Sequence, residues 1–368
     1  MNTPPFDIFL VATPGLETPL AEEARTAGFK DAEVIGGGVT FSGTWTDVWR
    51  ANLELRGATR VLVRIASFRA MHLAQLDKRA RKLPWAQWLR ADVPVQVEAS
   101  CKRSRIYHAG AAAQRVATAI TEELGAPIAA DAALRIMVRI EDDLVTISLD
   151  TTGESLHKRG FKEGVAKAPM RETMAAMFLA QCGYTGNEPV IDPMCGSGTF
   201  VIEAAEIALG LNPGRNRTFA FEHLVSFDAA AWTKLRQAGS GHPTEQRFFG
   251  FDRDPGAIRM ARENAARAGV ADLTTFTEQP IEELTPPDGP PGLVIVNPPY
   301  GLRVGEKGPL IGLHRTLGSV LKARLAGWRV GIVTADRQLA QATGLGFETP
   351  LPPVLHGGTR VGLYRAKI

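Results

Sequence analysis

Beyond about residue 168, short apolar runs alternate with helical stretches of about ten residues or more. That alternation admits few folds. Runs at 189–191, 247–251, 273–276, 292–296 and 329–334 read as buried strands, and the intervening helices make each connection long enough for a parallel crossover. The expected class is α/β, a doubly wound sheet with helices on both faces, and residues 354–368 offer a closing hairpin. Ligands of such sheets bind beyond the carboxyl ends of the strands. The residues that follow these runs are therefore where chemistry is sought.

Three motifs stand there. The first is Asp192-Pro193-Met194-Cys195-Gly196-Ser197-Gly198-Thr199, after one strand and before the helical run 200–209. Gly196 and Gly198 let backbone approach a ligand closely at a helix start. The third glycine of the dinucleotide fingerprint is replaced by Val201, and Asp192 offers a carboxylate to a cationic amino-acid ligand. This argues against NAD and for S-adenosylmethionine. A glycine turn that only packs a strand on a helix is the simpler alternative. The second motif ends Phe249-Gly250-Phe251-Asp252-Arg253-Asp254, and an acid at this strand tip can accept both ribose hydroxyls. Asp252 is the first choice and Asp254 the second, the latter competing with a role as helix N-cap. An apparent insertion at 210–246 lengthens the spacing to the glycine loop.

The third motif, Asn297-Pro298-Pro299-Tyr300, follows the apolar run 293–296. An exocyclic amine of a base is a poor nucleophile because its lone pair is delocalised into the ring. An asparagine oxygen and a proline-held carbonyl can accept its two N–H bonds and aim the lone pair at a sulfonium methyl. Pro298 and Pro299 stiffen that carbonyl, and Tyr300 gives a face on which a base can stack. Cys195, inside the glycine loop, reads as a small buried thiol rather than a nucleophile. Cys101, Cys182 and Cys195 form no Cys-x-x-Cys pair and the histidines have no metal spacing, so no metal is expected.

The amino-terminal half has a different pattern. Strands at 6–12, 32–41 and 58–68 with helices at 17–27 and 46–55 suggest a ferredoxin-like α+β plan. A second α/β unit follows, with a basic helix at 76–90, a strand at 93–99, a helix at 109–124 and strands at 133–140 and 144–150. From Arg56 to Arg115 thirteen Lys or Arg face three acids, although the whole chain carries only +3. Such a run suits a polyanion, or is simply the solvated face of ordinary helices. No apolar run reaches the length of a membrane span, and the start lacks a basic segment followed by an apolar one. A cytoplasmic location is the expectation.

At these residues the sequence resembles the THUMP-containing class I methyltransferases, particularly the bacterial large-subunit ribosomal RNA guanine-N2 enzymes. Thr13-Pro14-Gly15-Leu16-Glu17, Ser104-Arg105-Ile106-Tyr107-His108, the stretch 153–161 and Ala168-Pro169-Met170-Arg171-Glu172 each resemble segments of that family. The most specific matches are 192–199 with Ile202-Glu203-Ala204-Ala205, and 297–301. The resemblance implies a ferredoxin-like domain at 1–68, a THUMP RNA-binding domain at 69–155 and one Rossmann-like methyltransferase domain at 156–368. It implies S-adenosyl-L-methionine as cofactor and RNA as partner, ribosomal first and transfer RNA second. Asp192, Pro193, Cys195, Gly196, Ser197, Gly198, Thr199, Asp252 and Asp254 would hold the cofactor, with its adenine near Glu278 or Gln279. Asn297 to Tyr300 would present the amine. Lys102, Arg103 and Arg105, with His157, Lys158 and Arg159, would meet the RNA. After Gly301 the chain reads Leu302-Arg303, where the family pattern has an acid. A transfer RNA enzyme, a DNA amino methyltransferase and a non-catalytic RNA scaffold are the competing readings.

Overall fold

The computed structural model describes residues 5–163, 170–239, 241–300 and 307–368. Ala168 and Pro169 of the lead-in motif, and Gly301, Leu302 and Arg303, lie outside these residues. The chain forms two compact units. Unit 1 comprises Met1–Ala12, Ala21–Leu156 and Arg217–Ala238; unit 2 comprises Thr13–Leu20, His157–Asn216 and Gly239–Ile368.

The first elements are β1 (Phe6–Val11), α1 (Glu17–Thr26), β2 (Glu33–Ile35), β3 (Gly38–Gly43), α2 (Trp45–Glu54), β4 (Arg60–Arg69) and α3 (Leu73–Ala80). Then come β5 (Val95–Lys102), α4 (Ala109–Leu124), β6 (Leu134–Glu141) and β7 (Leu144–Asp150). The strands of unit 1 make one sheet in the order β2-β3-β1-β4-β7-β6-β5, and the β4–β7 pairing carries it across residues 68 and 69. In β6 the residues Leu134, Ile136, Val138 and Ile140 are buried and those between them are not, the alternation of a sheet with one covered face. Asp142 and Asp143 turn β6 into β7 with φ of 50° and 61°, the left-handed pair a two-residue hairpin requires.

The helix expected at 76–90 is shorter. It ends at Ala80, and a single 3-10 turn, Trp85–Gln87, follows. Pro84 lies between them: it has no N–H to donate, and its ring disfavours helical backbone at Leu83. Trp85 is 2% exposed, and its Nε1 donates to Ala80 O at 2.9 Å.

Unit 2 contains α5 (Glu172–Gln181), β8 (Val190–Asp192) and α6 (Thr199–Ala208). The apparent insertion follows, and its helix α7 (Ala229–Ala238) belongs to unit 1. There Phe219, Phe221 and Trp232 gather, Trp232 edge-on to Phe221 at 5.0 Å between centroids, and Trp49 of α2 lies 6.1 Å from Phe221. Unit 2 resumes with β9 (Phe248–Asp252), α8 (Pro255–Ala268), β10 (Thr274–Glu278), β11 (Leu293–Val296), α9 (Lys307–Arg324), β12 (Arg329–Thr334), α10 (Arg337–Ala342), β13 (Val354–His356) and β14 (Thr359–Lys367). The sheet order is β10-β9-β8-β11-β12-β14-β13, parallel from β10 to β12, with β14 antiparallel to β12. This is the expected doubly wound sheet with its closing hairpin. Every residue of β11 is buried, as a strand covered on both faces must be. Leu317 and Leu321 of α9, with Leu325 just beyond its end, join Val294, Val296, Val330 and Ile332 in one core cluster.

Candidate active site

Strand order reverses between β8 and β11, which pair side by side with Val190 opposite Leu293 and Ile191 opposite Val294. At such a switch point the loops beyond adjacent strands part and leave a crevice. Asp192 ends one of these strands and Asn297 follows the other, so two of the three sequence motifs meet at one edge.

The glycine loop is tied to β9 by backbone. Cys195 N donates to Phe251 O at 2.8 Å and Gly196 N to Asp252 Oδ2 at 2.9 Å, while Asp252 Oδ1 accepts from Asp254 N at 3.0 Å. Asp252 thus holds the loop, and its carboxylate keeps free lone pairs for further donors. Gly198 begins α6 with φ of +85°, and a Cβ there would meet Ala261 Cβ and the Phe276 ring at 3.1 Å, so only glycine fits. Asp192 is 2% exposed and accepts from Met194 N at 3.1 Å; burial, with Asp252 nearby, pushes its carboxyl well above the usual range. Cys195 Sγ lies 3.0 Å from where a Cβ on Gly250 would stand. Burial and the Asp192 and Asp252 carboxylates push its thiol up, the environment of an inert packing thiol.

Asp254 is the N-cap of α8, its Oδ1 accepting from Gly256 N at 2.8 Å. Its side chain is engaged at the helix start, whereas that of Asp252 addresses the glycine loop. Glu278 pairs with Asp252 across β10 and β9 and is exposed. Gln279 N donates to Asp252 O at 3.0 Å, and its Nε2 is buried without a hydrogen-bond partner among the described residues. Asn297 Oδ1 is likewise buried without a partner among the described residues. Pro298 is buried, Pro299 exposed and Tyr300 half-buried, its hydroxyl 3.2 Å from His356 Nδ1; burial raises the Tyr300 pKa.

Two supports of the loop were not singled out from the sequence. Asn264, fully buried in α8, donates from Nδ2 to Ser197 O at 3.1 Å. A polar residue among Ala257, Ile258, Ala261 and Ala265 on a buried helical stripe is the signal that marks it. Lys162 Nζ donates to Thr199 Oγ1 at 2.9 Å and to Met170 O at 3.0 Å, and pairs with Glu172 at 3.0 Å. Nothing in the spacing of these residues announces that link.

The residues expected to meet RNA are placed unequally. Lys102, Arg103 and Arg105 are exposed, but each is paired: Lys102 and Arg103 with Glu141 at 3.3 and 2.9 Å, Arg103 also with Asp142 at 3.0 Å, and Arg105 with Asp143 at 4.0 Å. Arg60, Arg64, Arg81 and Arg90 of the basic stretch also have acid partners in Asp150, Asp7, Asp77 and Asp92. Asp77 and Asp92 belong to the stretch itself, so the acids brought in from outside it, Asp150, Asp7, Glu141, Asp142 and Asp143, answer part of the surplus counted along the sequence. Arg159 corrects the expectation: it is 2% exposed and faces Glu203 at 3.3 Å, inside unit 2 where no phosphate reaches. His157 is half-buried, and burial, with the positive charges of Arg171 and Lys158, holds its pKa down to about 4, so it is uncharged at neutral pH. Lys158 is exposed. Among the described residues no group of three or more His, Cys, Asp or Glu is placed to hold a metal, and no helix is long and apolar enough to cross a membrane.

Residues 159–348 match the RMKL-like methyltransferase domain, and residues 7–62 match the RlmL ferredoxin-like domain. The ribosomal RNA large subunit methyltransferase K/L of Vibrio campbellii is 33% identical over 344 residues, covering 89% of this chain and 49% of that protein. The chain spans about half the length of the curated relatives it matches. Two solved structures superpose on nearly all of it. SMU.472, described as a putative methyltransferase complexed with SAH, is 28% identical with a TM-score of 0.88, covering 99% of this chain and 98% of its own. A protein of Listeria monocytogenes str. 4b F2365, described as a predicted N6-adenine-specific DNA methylase, is 30% identical with a TM-score of 0.87, covering 98% of this chain and 96% of its own. The chain belongs to the RMKL-like methyltransferase domain family, joined to an amino-terminal ferredoxin-like domain, and its cofactor is S-adenosyl-L-methionine.

Proposed function

We propose that the chain methylates an exocyclic amino nitrogen of a base in RNA, guanine N2 of large-subunit ribosomal RNA. One observation carries the reading: Asn297 Oδ1, at the switch point of the sheet, is buried with no hydrogen-bond partner among the described residues. An unsatisfied buried acceptor costs about 1–3 kcal/mol. An amine of the target base, donating its N–H there, relieves that cost where the reaction needs it.

The residues fit the cofactor. The left-handed Gly198 brings backbone close at the start of α6, Asp252 can accept ribose hydroxyls, and the unpartnered Gln279 Nε2 can donate to a ring nitrogen of adenine. The buried Asp192 carboxylate suits an ammonium group, which would favour its ionised form. When bound, S-adenosylmethionine supplies a methyl on a sulfonium leaving group. The chain orients the acceptor: Asn297 Oδ1 and Pro298 O take the two N–H bonds, turning the amine lone pair out of conjugation, and Tyr300 supports the base. As the N–C bond forms, the S–C electron pair passes to sulfur, and the surplus proton leaves the amine for water. No covalent link to Cys195 is involved. In the same reading residues 69–155 form an RNA-docking THUMP domain between the ferredoxin-like part and the methyltransferase domain.

The name of the Vibrio relative supports ribosomal RNA and that of the Listeria protein favours a second reading, adenine N6, whose amine suits the same acceptors. Labelled methyl transfer to separated ribosomal and transfer RNA from a strain lacking the protein, followed by nucleoside mass analysis, decides. N2-methylguanosine in large-subunit RNA is the expected product. N6-methyladenosine would favour the second reading, and label in transfer RNA or in neither would overturn the ribosomal assignment.

A further inference from the structure

Tyr107 is 84% exposed, whereas among the described residues no other exposed large apolar side chain exceeds 50%. It is held out by its neighbours. Ile106 is buried at 4% exposure, and His108 caps α4, its Nδ1 accepting from Ala111 N at 3.1 Å. With backbone fixed on both sides, the ring has no route into the core.

The preceding loop is equally fixed. Ser104 Oγ donates to Lys102 O at 2.8 Å and accepts from Asp143 N at 3.0 Å, and Arg105 N donates to Asp143 Oδ1 at 2.7 Å. Arg103 adopts a left-handed φ of 47° and grips Asp142 with two bonds of 3.0 Å. A non-glycine residue in that region costs roughly 1–2 kcal/mol. The ordering that a mobile loop would undergo on binding is therefore complete before any ligand arrives, which favours affinity.

We propose that Tyr107 is a stacking platform for an unpaired base of the substrate RNA. The local charge distinguishes a base from a phosphate backbone. Lys102, Arg103 and Arg105 are each opposed by Glu141, Asp142 or Asp143, so charge attraction here is weak and the open ring is the principal contact. A duplex buries its base faces, whereas a loop or single strand offers them. The Arg105 guanidinium, 71% exposed and 3.4 Å from Met71 Sδ, flanks the ring along the chain and can orient the adjoining phosphate.

This inference rests on the RNA reading above. The test uses the full chain and two fluorescent probes, an unstructured RNA of about 12 nucleotides and a duplex of the same length. Stacking contributes about 1–3 kcal/mol per base, so Tyr107→Ala should weaken single-strand binding about 5- to 150-fold. Tyr107→Phe and Tyr107→Trp should keep it, and duplex affinity and the salt slope should not change, because no charge is lost. Melting temperature and S-adenosylmethionine affinity should equal those of the wild type. Unchanged single-strand affinity in the alanine variant, or an equal loss for the duplex, overturns the proposal and leaves the ring to a protein partner. A wild type that neither binds nor methylates RNA overturns the RNA reading itself, and this inference with it.

Discussion

At the turn between β6 and β7, Glu141, Asp142 and Asp143 meet the exposed cations Lys102, Arg103 and Arg105 at the surface. At the carboxyl edge of the other sheet, Asn297 Oδ1 and Gln279 Nε2 are buried with no partner among the described residues. Exposed pairs contribute about 0–1 kcal/mol each, while an orphaned buried group costs about 1–3 kcal/mol. Charge density along a sequence is thus a poor guide to a binding surface once the fold supplies counter-charges. Unsatisfied polar atoms beyond the carboxyl ends of parallel strands are the signal on which the proposed function rests, because folding alone has no use for them.

The sharpest way to break that contrast is Asn297→Ala. Removing one preorganised hydrogen-bonding group aimed at the reacting centre lowers turnover by about 10²- to 10³-fold. Single-turnover transfer of labelled methyl should show this, with S-adenosylmethionine affinity within several-fold of the wild type; normal turnover would remove Asn297 from the mechanism. Asp252→Asn comes next. Gly196 N–H and the ribose both lose a charged acceptor, and calorimetry should show cofactor affinity reduced by about 10- to 100-fold.

His157 should give a smaller, pH-dependent effect. Its folded pKa of about 4 lies below the ordinary 6.5, so the unfolded chain binds more protons in between. Its contribution is complete above about pH 6.5 and is lost as pH falls toward 4. Allowing for partial exposure, urea midpoints should show about 1 kcal/mol less stability at pH 5 than at pH 7 from this residue. In His157→Gln that increment should vanish. The smallest effect belongs to the paired surface. Lys102→Glu or Arg105→Glu should weaken RNA binding and change the salt slope by less than the roughly 0.9 expected for a full phosphate contact. A change of a full contact each would mean that RNA displaces the acids and that the pairing does not mute these cations.

Much of unit 2 is legible in its sequence because a parallel sheet must bury its strands: 292–296 and 330–333 carry no polar side chain, and the structure starts and ends β11 and β12 within a residue of them. The glycine loop and Asn297 are legible for the same reason, since the strand that precedes each is unmistakable. Partnerships distant in sequence are not. Arg159 reads as a basic surface residue until Glu203 is seen opposite it, and Lys162 gives no hint of Thr199. The helix expected at 76–90 stops at Ala80 because Pro84 breaks a periodicity that runs on past it. The insertion shows its aromatic residues plainly, but not that they pack with Trp49, about 170 residues earlier in the chain.

That last pairing sets an order on biosynthesis. Trp49 leaves the ribosome long before Phe221 and Trp232, and at usual elongation speeds the interval is on the order of 10–40 s. Throughout it the nascent amino-terminal unit shows an aromatic face whose cover has not yet been made. A chain released early, or cut after Leu156, would keep that face bare. The enzyme's dependence on chaperones should therefore be greatest between the first unit's last strand and the end of α7.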